Sequence, residues 1–214
     1  MALREFLSCV DHLVYATADL ERGIAEVEQL LGIRASLGGQ HPIWGTRNAL
    51  IALGPGSYLE IIASDHQDHS SPAEGRPFGL EALGSSRLVG WAAKGSALTN
   101  FRDSAAQHGV ELGRVLSGSR MQADGTVLMW KLTDLRCVIA DGIVPFFIDW
   151  GTTPHPALVA SRGATLVSLV AKHPDADRVR QMLRVIGVDL PVDAGRAPAL
   201  IAQIDCPNGR VVLL

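Results

Sequence analysis

Three segments of the chain repeat one local pattern, and this repetition constrains the fold more than any other feature of the sequence. The segments are VDHLVYATADLERGIAEVEQLLGIRA, LVGWAAKGSALTNFRDSAAQHGVELG and LVSLVAKHPDADRVRQMLRVIGVDL. Each reads as an apolar strand, a polar break, a helix with apolar residues at helical spacing and a closing glycine, at Gly32, Gly109 or Gly187. Because one such unit leaves a sheet face uncovered, the pattern predicts repeated units that pack on each other.

Short apolar strands separated by turn residues follow each helix. RNALIALG and SYLEIIAS follow the first, joined by Gly-Pro-Gly at residues 54–56. GRVLSGSR, TVLMWKLT and GIVPFFIDW follow the second, with a tight Asp-Gly turn at residues 124–125. PALIAQIDC and RVVLL follow the third, around Pro-Asn-Gly at residues 207–209. We therefore expect an α+β fold of repeated βαβββ modules, with curved mixed sheets around a cleft.

These patterns divide the chain into three units. The first module is expected at residues 1–65 and the second at 87–151, joined by a linker at 66–86 that is rich in Ser, Pro and Gly. A third, partial βαβββ-like module is expected at 163–214. An odd unit needs a partner for its exposed face, so we expect it to pack on the rest of the chain or across a homodimer.

Composition excludes several classes of function. The 214 residues carry a net charge of -3 without a basic run, which argues against nucleic acid as a partner. Every long apolar stretch is interrupted well before about 18 residues, so no membrane span is expected. The N-terminal residues show no apolar signal region, and a cytoplasmic location is the expectation. The three cysteines are far apart, and they match neither a zinc finger nor a disulfide framework.

Several stretches resemble the glyoxalase-like domain family of the vicinal oxygen chelate superfamily, which also includes glyoxalase I, extradiol dioxygenases and the fosfomycin and bleomycin resistance proteins. The stretches are VDHLVYATADLERGIAEVEQLLG, GGQHPIWGTRNALIALGPGSYLEII, GWAAK, SRMQADGTVLMWKL and PFFIDWGTTPHP. The resemblance covers roughly residues 10–156. It implies paired modules around a cleft, with metal ligands on the first and last strands of each module.

The resemblance matches two metal-ligand positions in the first module. His12 corresponds to the ligand of the first strand and Glu60 to the ligand of the last strand, and Glu60 is also the candidate catalytic residue. His41 is a candidate third ligand, in a set that suits Zn, Ni, Mn or Fe. The second module offers no matching His and Glu pair, so a four-ligand site is not expected. The alternative is that His12 and Glu60 form a buried hydrogen-bonded pair.

Aromatic and polar residues elsewhere suggest a small-molecule pocket. For each tryptophan the alternative is a place in the core, and for Arg47 it is the solvated surface. The candidate substrate-binding residues are Trp44, Arg47, Asn48, Trp91, Arg120, Trp130, Asp149, Trp150 and His155.

Three functions follow as expectations, the last of which is a structural or regulatory module without a ligand. The first is a metal-dependent lyase, isomerase or oxygenase that acts on a small oxygenated metabolite. The second is a metal-free protein of the bleomycin-resistance type that binds and sequesters a small molecule. The glycines lie scattered in turns, without a phosphate loop or dinucleotide fingerprint, so neither a nucleotide nor a flavin cofactor is expected.

Overall fold

Two βαβββ modules form the larger of the sheets in the computed structural model, which describes residues 2–65, 75–121 and 127–214. A short helix, α1 (Ala2–Cys9), precedes them; it is absent from the expectations above. The first module consists of β1 (Val10–Ala16), α2 (Leu20–Leu31), β2 (Ser36–His41), β3 (Thr46–Gly54) and β4 (Ser57–Ser64). The second consists of β5 (Arg87–Lys94), α3 (Leu98–Gln107), β6 (Val115–Met121), β7 (Val127–Thr133) and β8 (Phe146–Asp149).

The two modules share one pairing scheme. Their strands run in the order β2-β3-β4-β1-β5-β8-β7-β6. The first and last strands of each module pair in parallel, β1 with β4 and β5 with β8, and the modules join through antiparallel β1 and β5. The end strands β2 and β6 approach each other, so the sheet curves almost into a barrel. The predicted α+β class and curved sheet are therefore confirmed.

Helix α2 shows why the local pattern was readable in the sequence. Asp19 lies at its N-terminus and accepts a hydrogen bond from the Arg22 amide, while Gly32 ends the helix in the left-handed conformation at φ 71°. Its apolar side chains at helical spacing are buried on the convex face of the sheet: Leu20, Ile24, Val27 and Leu31. The residues that the periodicity singled out are the ones that pack.

The third unit has the expected strand–helix beginning but a different sheet order. It comprises β9 (Thr165–His173), α4 (Ala176–Val185), β10 (Val192–Ala194), β11 (Ala199–Cys206) and β12 (Gly209–Leu213). Its strands run β10-β9-β11-β12, so its first strand lies between two others instead of beside its last strand. Leu169, Leu183 and Ile204 belong to the same apolar cluster as Leu13 of the first module. This unit thus covers its apolar face on the rest of the chain.

Short 3₁₀ turns lie at Pro77–Ala82, Ala140–Gly142 and Pro156–Leu158. The first of them falls inside the stretch predicted to be a linker. The predicted turn at residues 124–125 and two linker histidines, His66 and His69, lie outside the described residues. Across the ranges that the structure describes, no helix is long and apolar enough to cross a membrane.

Candidate active site

The concave face of the large sheet holds a cavity that is partly open to solvent. Strands of both modules line it, together with the turn that begins at Pro77. The lining side chains combine a few polar groups with many aromatic rings: His12, His41, Trp44, Thr46, Asn48, Tyr58, Glu60, Ile62, Pro77, Phe78, Arg120, Trp130, Leu132, Leu135, Phe146, Ile148 and Trp150. Such a lining is typical of small-molecule sites.

His12 is held by its neighbour in the chain. Adjacent residues of a regular strand point to opposite faces, yet His12 Nδ1 lies 2.7 Å from Asp11 Oδ1. The pairing of β1 with β5 shifts register between Val10 and His12, which leaves Asp11 as the extra residue of a β-bulge. The bulge therefore brings the Asp11 carboxylate behind the His12 ring.

Asp11 is fully buried and accepts hydrogen bonds from three side chains. Besides His12, the donors are Trp150 Nε1, 3.1 Å from Oδ2, and His155 Nε2, 3.2 Å from Oδ2. Burial by itself raises the pKa of Asp11, but the hydrogen bonds from His12 and His155 and the attraction of these rings outweigh it. The pKa falls from 3.8 to about 2. At neutral pH Asp11 is therefore an ionised group that can only accept hydrogen bonds.

The ionised Asp11 fixes which ring nitrogens carry protons. His155 Nδ1 accepts from the Ala157 amide, so His155 donates to Asp11 through Nε2–H. His12 must donate to Asp11 through Nδ1–H, which leaves the unshared electron pair of the neutral ring on Nε2. His12 Nε2 lies 3.7 Å from Glu60 Oε2, beyond hydrogen-bond distance. Two electron-pair donors thus face each other in the cavity.

A hydrogen bond to the other carboxylate oxygen, Oε1, orients Glu60. Glu60 Oε1 accepts from Asn48 Nδ2 at 2.5 Å, and Asn48 Oδ1 accepts from Arg120 Nη1 at 3.0 Å. Burial lowers the pKa of the Arg120 guanidinium, although the charge of Glu60 opposes that effect. A Cβ atom at Gly38 would lie 2.1 Å from Asn48 Oδ1, so only glycine at this position leaves room for the series Arg120–Asn48–Glu60.

Aromatic rings form the walls around these polar groups. The ring of His12 stacks on Tyr58 with centroids 4.7 Å apart. Trp44 and Trp130 lie nearly parallel, at 28° and 6.2 Å, and Trp130 also contacts Trp150 at 5.2 Å. Burial, with the nearby carboxylates, raises the pKa of Tyr58 well above its usual value of 10, so its hydroxyl stays protonated.

His41 lies among the tryptophans. Its ring meets Trp44 and Trp130 edge-on at 5.9 and 6.0 Å, and its Nδ1 lies 3.1 Å from Thr46 Oγ1. Burial lowers the pKa of His41 from 6.5 to about 4, and the attraction of Glu60 offsets only part of that effect. His41 is therefore neutral at physiological pH.

The structure brings most of the predicted site residues to one cavity. His12, Glu60 and His41 line it, as do five of the predicted substrate-binding residues: Trp44, Asn48, Arg120, Trp130 and Trp150. His155 contacts Tyr58 and Trp150 from behind the lining and holds Asp11.

Three predicted substrate-binding residues lie elsewhere, and each correction has a simple physical reason. Arg47 alternates with the lining residues of β3, and Asp149 with those of β8, so both face away from the cavity. Asp149 instead accepts a hydrogen bond from the Gly151 amide. Trp91 is fully buried in the main core on the opposite face, where its Nε1 donates to the Ile143 carbonyl.

The residues of the site that were missed in the sequence include Tyr58, Phe146, Asp11 and Phe78. Tyr58 alternates with the predicted Glu60 on β4, and this alternation was available as a signal. Phe146 alternates with Ile148 on β8, which was itself not predicted. Asp11 was detectable only as a carboxylate inside an apolar strand. Phe78 comes from the stretch predicted to be a linker, and no local signal places it in the cavity.

The side chains present do not fit a resident divalent ion of the superfamily type. In the described ranges, no group of three or more His, Cys, Asp or Glu side chains could hold a metal ion. His12 and Glu60 can supply two ligands, but His41 does not complete a set with them. On β8 and directly after it the cavity is lined by Phe146, Ile148 and Trp150, none of which carries a carboxylate. A metal site would need ligands from outside these residues.

Comparison with known proteins supports the fold and the family. The glyoxalase-like domain family matches residues 10–187. A hypothetical protein from Staphylococcus aureus superposes with a TM-score of 0.64 at 15% identity, covering 95% of this chain and 83% of its own. Methylmalonyl-CoA epimerase from Mycobacterium tuberculosis gives a TM-score of 0.43 at 18% identity, over 66% of this chain and 87% of its own.

A structure of methylmalonyl-CoA epimerase in complex with methylmalonyl-CoA and NH4+ gives a TM-score of 0.45 at 17% identity, over 69% of this chain and 97% of its own. No curated protein matches the sequence. At 15% identity the similarity to the Staphylococcus aureus protein shows the fold alone. The family match, however, spans most of the chain. The chain therefore belongs to the glyoxalase-like domain family of the vicinal oxygen chelate superfamily.

Proposed function

We propose that the chain is an enzyme of the isomerase or lyase type that transfers a proton on a small oxygenated metabolite bound in the cavity. The observation that carries this proposal is the 3.7 Å separation of His12 Nε2 and Glu60 Oε2. Both atoms have an unshared electron pair, and the two residues line the same cavity. Such a pair is stabilised by a proton or a hydrogen-bond donor that arrives between them.

Glu60 is the base in this proposal. Its Oε1 is occupied by Asn48, so Oε2 takes the proton from a substrate carbon next to a carbonyl group. The C–H bond breaks, an O–H bond forms on Glu60, and the electron pair moves onto the carbonyl oxygen as an enolate. The positive charge of Arg120, in the same cavity, stabilises that oxygen.

His12 completes the transfer. With Asp11 behind it, the ring accepts at Nε2 the proton that Glu60 Oε2 has taken, so Glu60 returns to a carboxylate and His12 becomes an imidazolium that the buried Asp11 stabilises. It can pass that proton back to a different atom of the substrate, which gives an isomerase, or to a departing oxygen, which gives a lyase. The order of these roles is set by which atom of the substrate faces Glu60.

A metal-dependent lyase, isomerase or oxygenase remains the alternative version, with His12 and Glu60 as ligands. It requires ligands that the described side chains do not supply, so we derive the reaction from the side chains alone. Elemental analysis of untagged protein separates the versions. The proposal predicts sub-stoichiometric metal and activity that survives a chelator; stoichiometric metal whose removal abolishes activity would favour the metal enzyme.

A second candidate is a metal-free binding protein, and the aromatic walls favour it. Trp44, Trp130 and Trp150 offer stacking surfaces that bind a ligand without any chemistry. The two candidates differ in whether bound ligands exchange carbon-bound hydrogen.

Hydrogen–deuterium exchange tests the proposed function without knowledge of the product. Ketones, 2-hydroxyketones and 1,3-dicarbonyl compounds are incubated with the protein in deuterated buffer, and loss of C–H signals is followed by NMR. We expect exchange with at least one compound, reduced roughly a hundredfold or more in Glu60→Gln. Asp149→Asn is the matched control, because that carboxylate faces away from the cavity. Compounds that bind but never exchange would identify the chain as a binding protein.

A further inference from the structure

The indole N–H of Trp44 is a buried hydrogen-bond donor in the wall of the cavity. Its side chain lines the cavity and is 3% exposed, and within the described part of the chain its Nε1 has no hydrogen-bond partner. The indole N–H groups of two other tryptophans have an acceptor: Trp91 donates to a carbonyl oxygen and Trp150 donates to Asp11. Buried donors are almost always paired, so an acceptor from outside the chain is the natural partner of Trp44.

The neighbouring surfaces select the shape of that partner. Trp130 lies nearly parallel to Trp44, and His41 meets both rings edge-on. Trp130 keeps its place because a Cβ atom at Gly118 would lie 2.4 Å from the indole ring. Flat, rigid aromatic faces at fixed angles favour a planar ligand over a flexible aliphatic one.

The charges around the cavity favour an uncharged ligand. Glu60 places one negative charge in the cavity, the buried carboxylate of Asp11 places a second one behind the His12 ring, and Arg120 brings one positive charge. The Arg120 guanidinium is already directed at Asn48, which holds Glu60. A carboxylate or phosphate in the cavity would add negative charge to a site that already has an excess of it, at a low local dielectric where repulsion is strong.

We infer that the substrate class of this site is an uncharged planar molecule that carries a carbonyl or similar oxygen, which accepts a hydrogen bond from Trp44 Nε1. This inference rests on the proposed function only in that it calls the ligand a substrate. Trp44 is the residue that distinguishes ligands, whereas Glu60 and His12 act on whatever is bound.

Three probes of similar size separate the determinants. Acetophenone is neutral with an acceptor, benzoate is anionic, and ethylbenzene is neutral without an acceptor. Each is titrated into isotope-labelled protein, and the indole N–H resonances are followed. Acetophenone is expected to move the Trp44 resonance downfield, while Trp91, in the core, serves as an internal reference that stays in place.

The affinities give the second readout. Acetophenone should bind at least roughly tenfold more tightly than benzoate, and Trp44→Phe should weaken acetophenone about fivefold, the equivalent of one neutral hydrogen bond. Ethylbenzene should lose clearly less affinity than acetophenone in Trp44→Phe, because it loses stacking surface but no hydrogen bond. Tighter binding of benzoate, equal losses for acetophenone and ethylbenzene, or no shift of the Trp44 resonance by any probe would overturn the inference.

The outcome is separable from that of the proposed function. Neutral probes that bind through Trp44 without hydrogen exchange would refute proton transfer and leave the ligand class standing. Exchange that occurs only with anionic compounds would refute the ligand class and leave proton transfer standing.

Discussion

Replacing Asp11 by Asn should destabilise the protein by about 2–4 kcal/mol at neutral pH. The carboxylate accepts hydrogen bonds from the N–H groups of His12, His155 and Trp150. An amide presents only one acceptor oxygen, and its own N–H₂ group would face at least one of these donors. The lowering of the pKa of Asp11 from 3.8 to about 2 is worth ~2 kcal/mol by itself.

The sign of the pH dependence follows from the same pKa. Because the pKa of Asp11 is lower in the folded protein, its contribution is fully present above about pH 4 and is lost as the pH falls towards about 2. Asp11→Asn has no such titration. The stability difference between the two proteins should therefore shrink across that window.

Urea unfolding followed by tryptophan fluorescence, repeated at several pH values, measures both quantities. Asp149→Asn is the control, since the Asp149 carboxylate accepts a hydrogen bond from the Gly151 amide near the surface. That variant should lie within about 1 kcal/mol of wild type. If Asp11→Asn were as stable as wild type, with the same loss of stability in acid, the three-donor arrangement would be wrong.

Further predictions concern the rest of the cavity and the core. In an NMR titration, His41 should stay neutral until about pH 4. Because the pKa of His41 is lower in the folded protein, the stability of the protein should fall as the pH drops from about 6.5 to 4, and this effect should be absent in His41→Phe. Gly118→Ala should cost ~1–3 kcal/mol in urea unfolding and weaken ligand binding, since the new Cβ would meet Trp130 at 2.4 Å. Trp91→Phe should lower the melting temperature, because the hydrogen bond to the Ile143 carbonyl is lost. Ligand affinity, measured by calorimetry, should be unchanged in this variant, and weaker binding would contradict the assignment of Trp91 to the core.

Local features of the fold were predictable because they depend on neighbouring residues. Helix α2 was readable from the cap at Asp19, the apolar spacing and Gly32, all within one short stretch. The pairing of the third unit was not, although it repeats the same strand, helix and glycine. The position of β9 between β10 and β11 depends on contacts between distant residues, and those leave no local signal.

In the candidate site, too, single residues could be predicted from the sequence, whereas their connections could not. His12 and Glu60 were found through family resemblance, and Asn48 and Arg120 were named only as separate candidates; nothing in the sequence joined them. Their connection depends on the approach of β6 to β2, which Gly38 permits.

Asp11 escaped prediction for a different reason. Strand alternation assigns adjacent residues to opposite faces, and only the register shift between β1 and β5 brings Asp11 and His12 together. For Trp91 the sequence left both the cavity and the core open, because an aromatic residue in an apolar strand carries no sign of which face it occupies, and the structure places it in the core.

The proton positions on the His12 ring test the central claim most directly. The account requires that Asp11 hold the proton on Nδ1, so that Nε2 presents its electron pair beside Glu60. A long-range nitrogen–proton correlation spectrum in mildly alkaline solution distinguishes the two neutral tautomers. The account predicts Nδ1–H with a bare Nε2 for His12, and the opposite tautomer for His155. A neutral His12 with its proton on Nε2 would contradict the account.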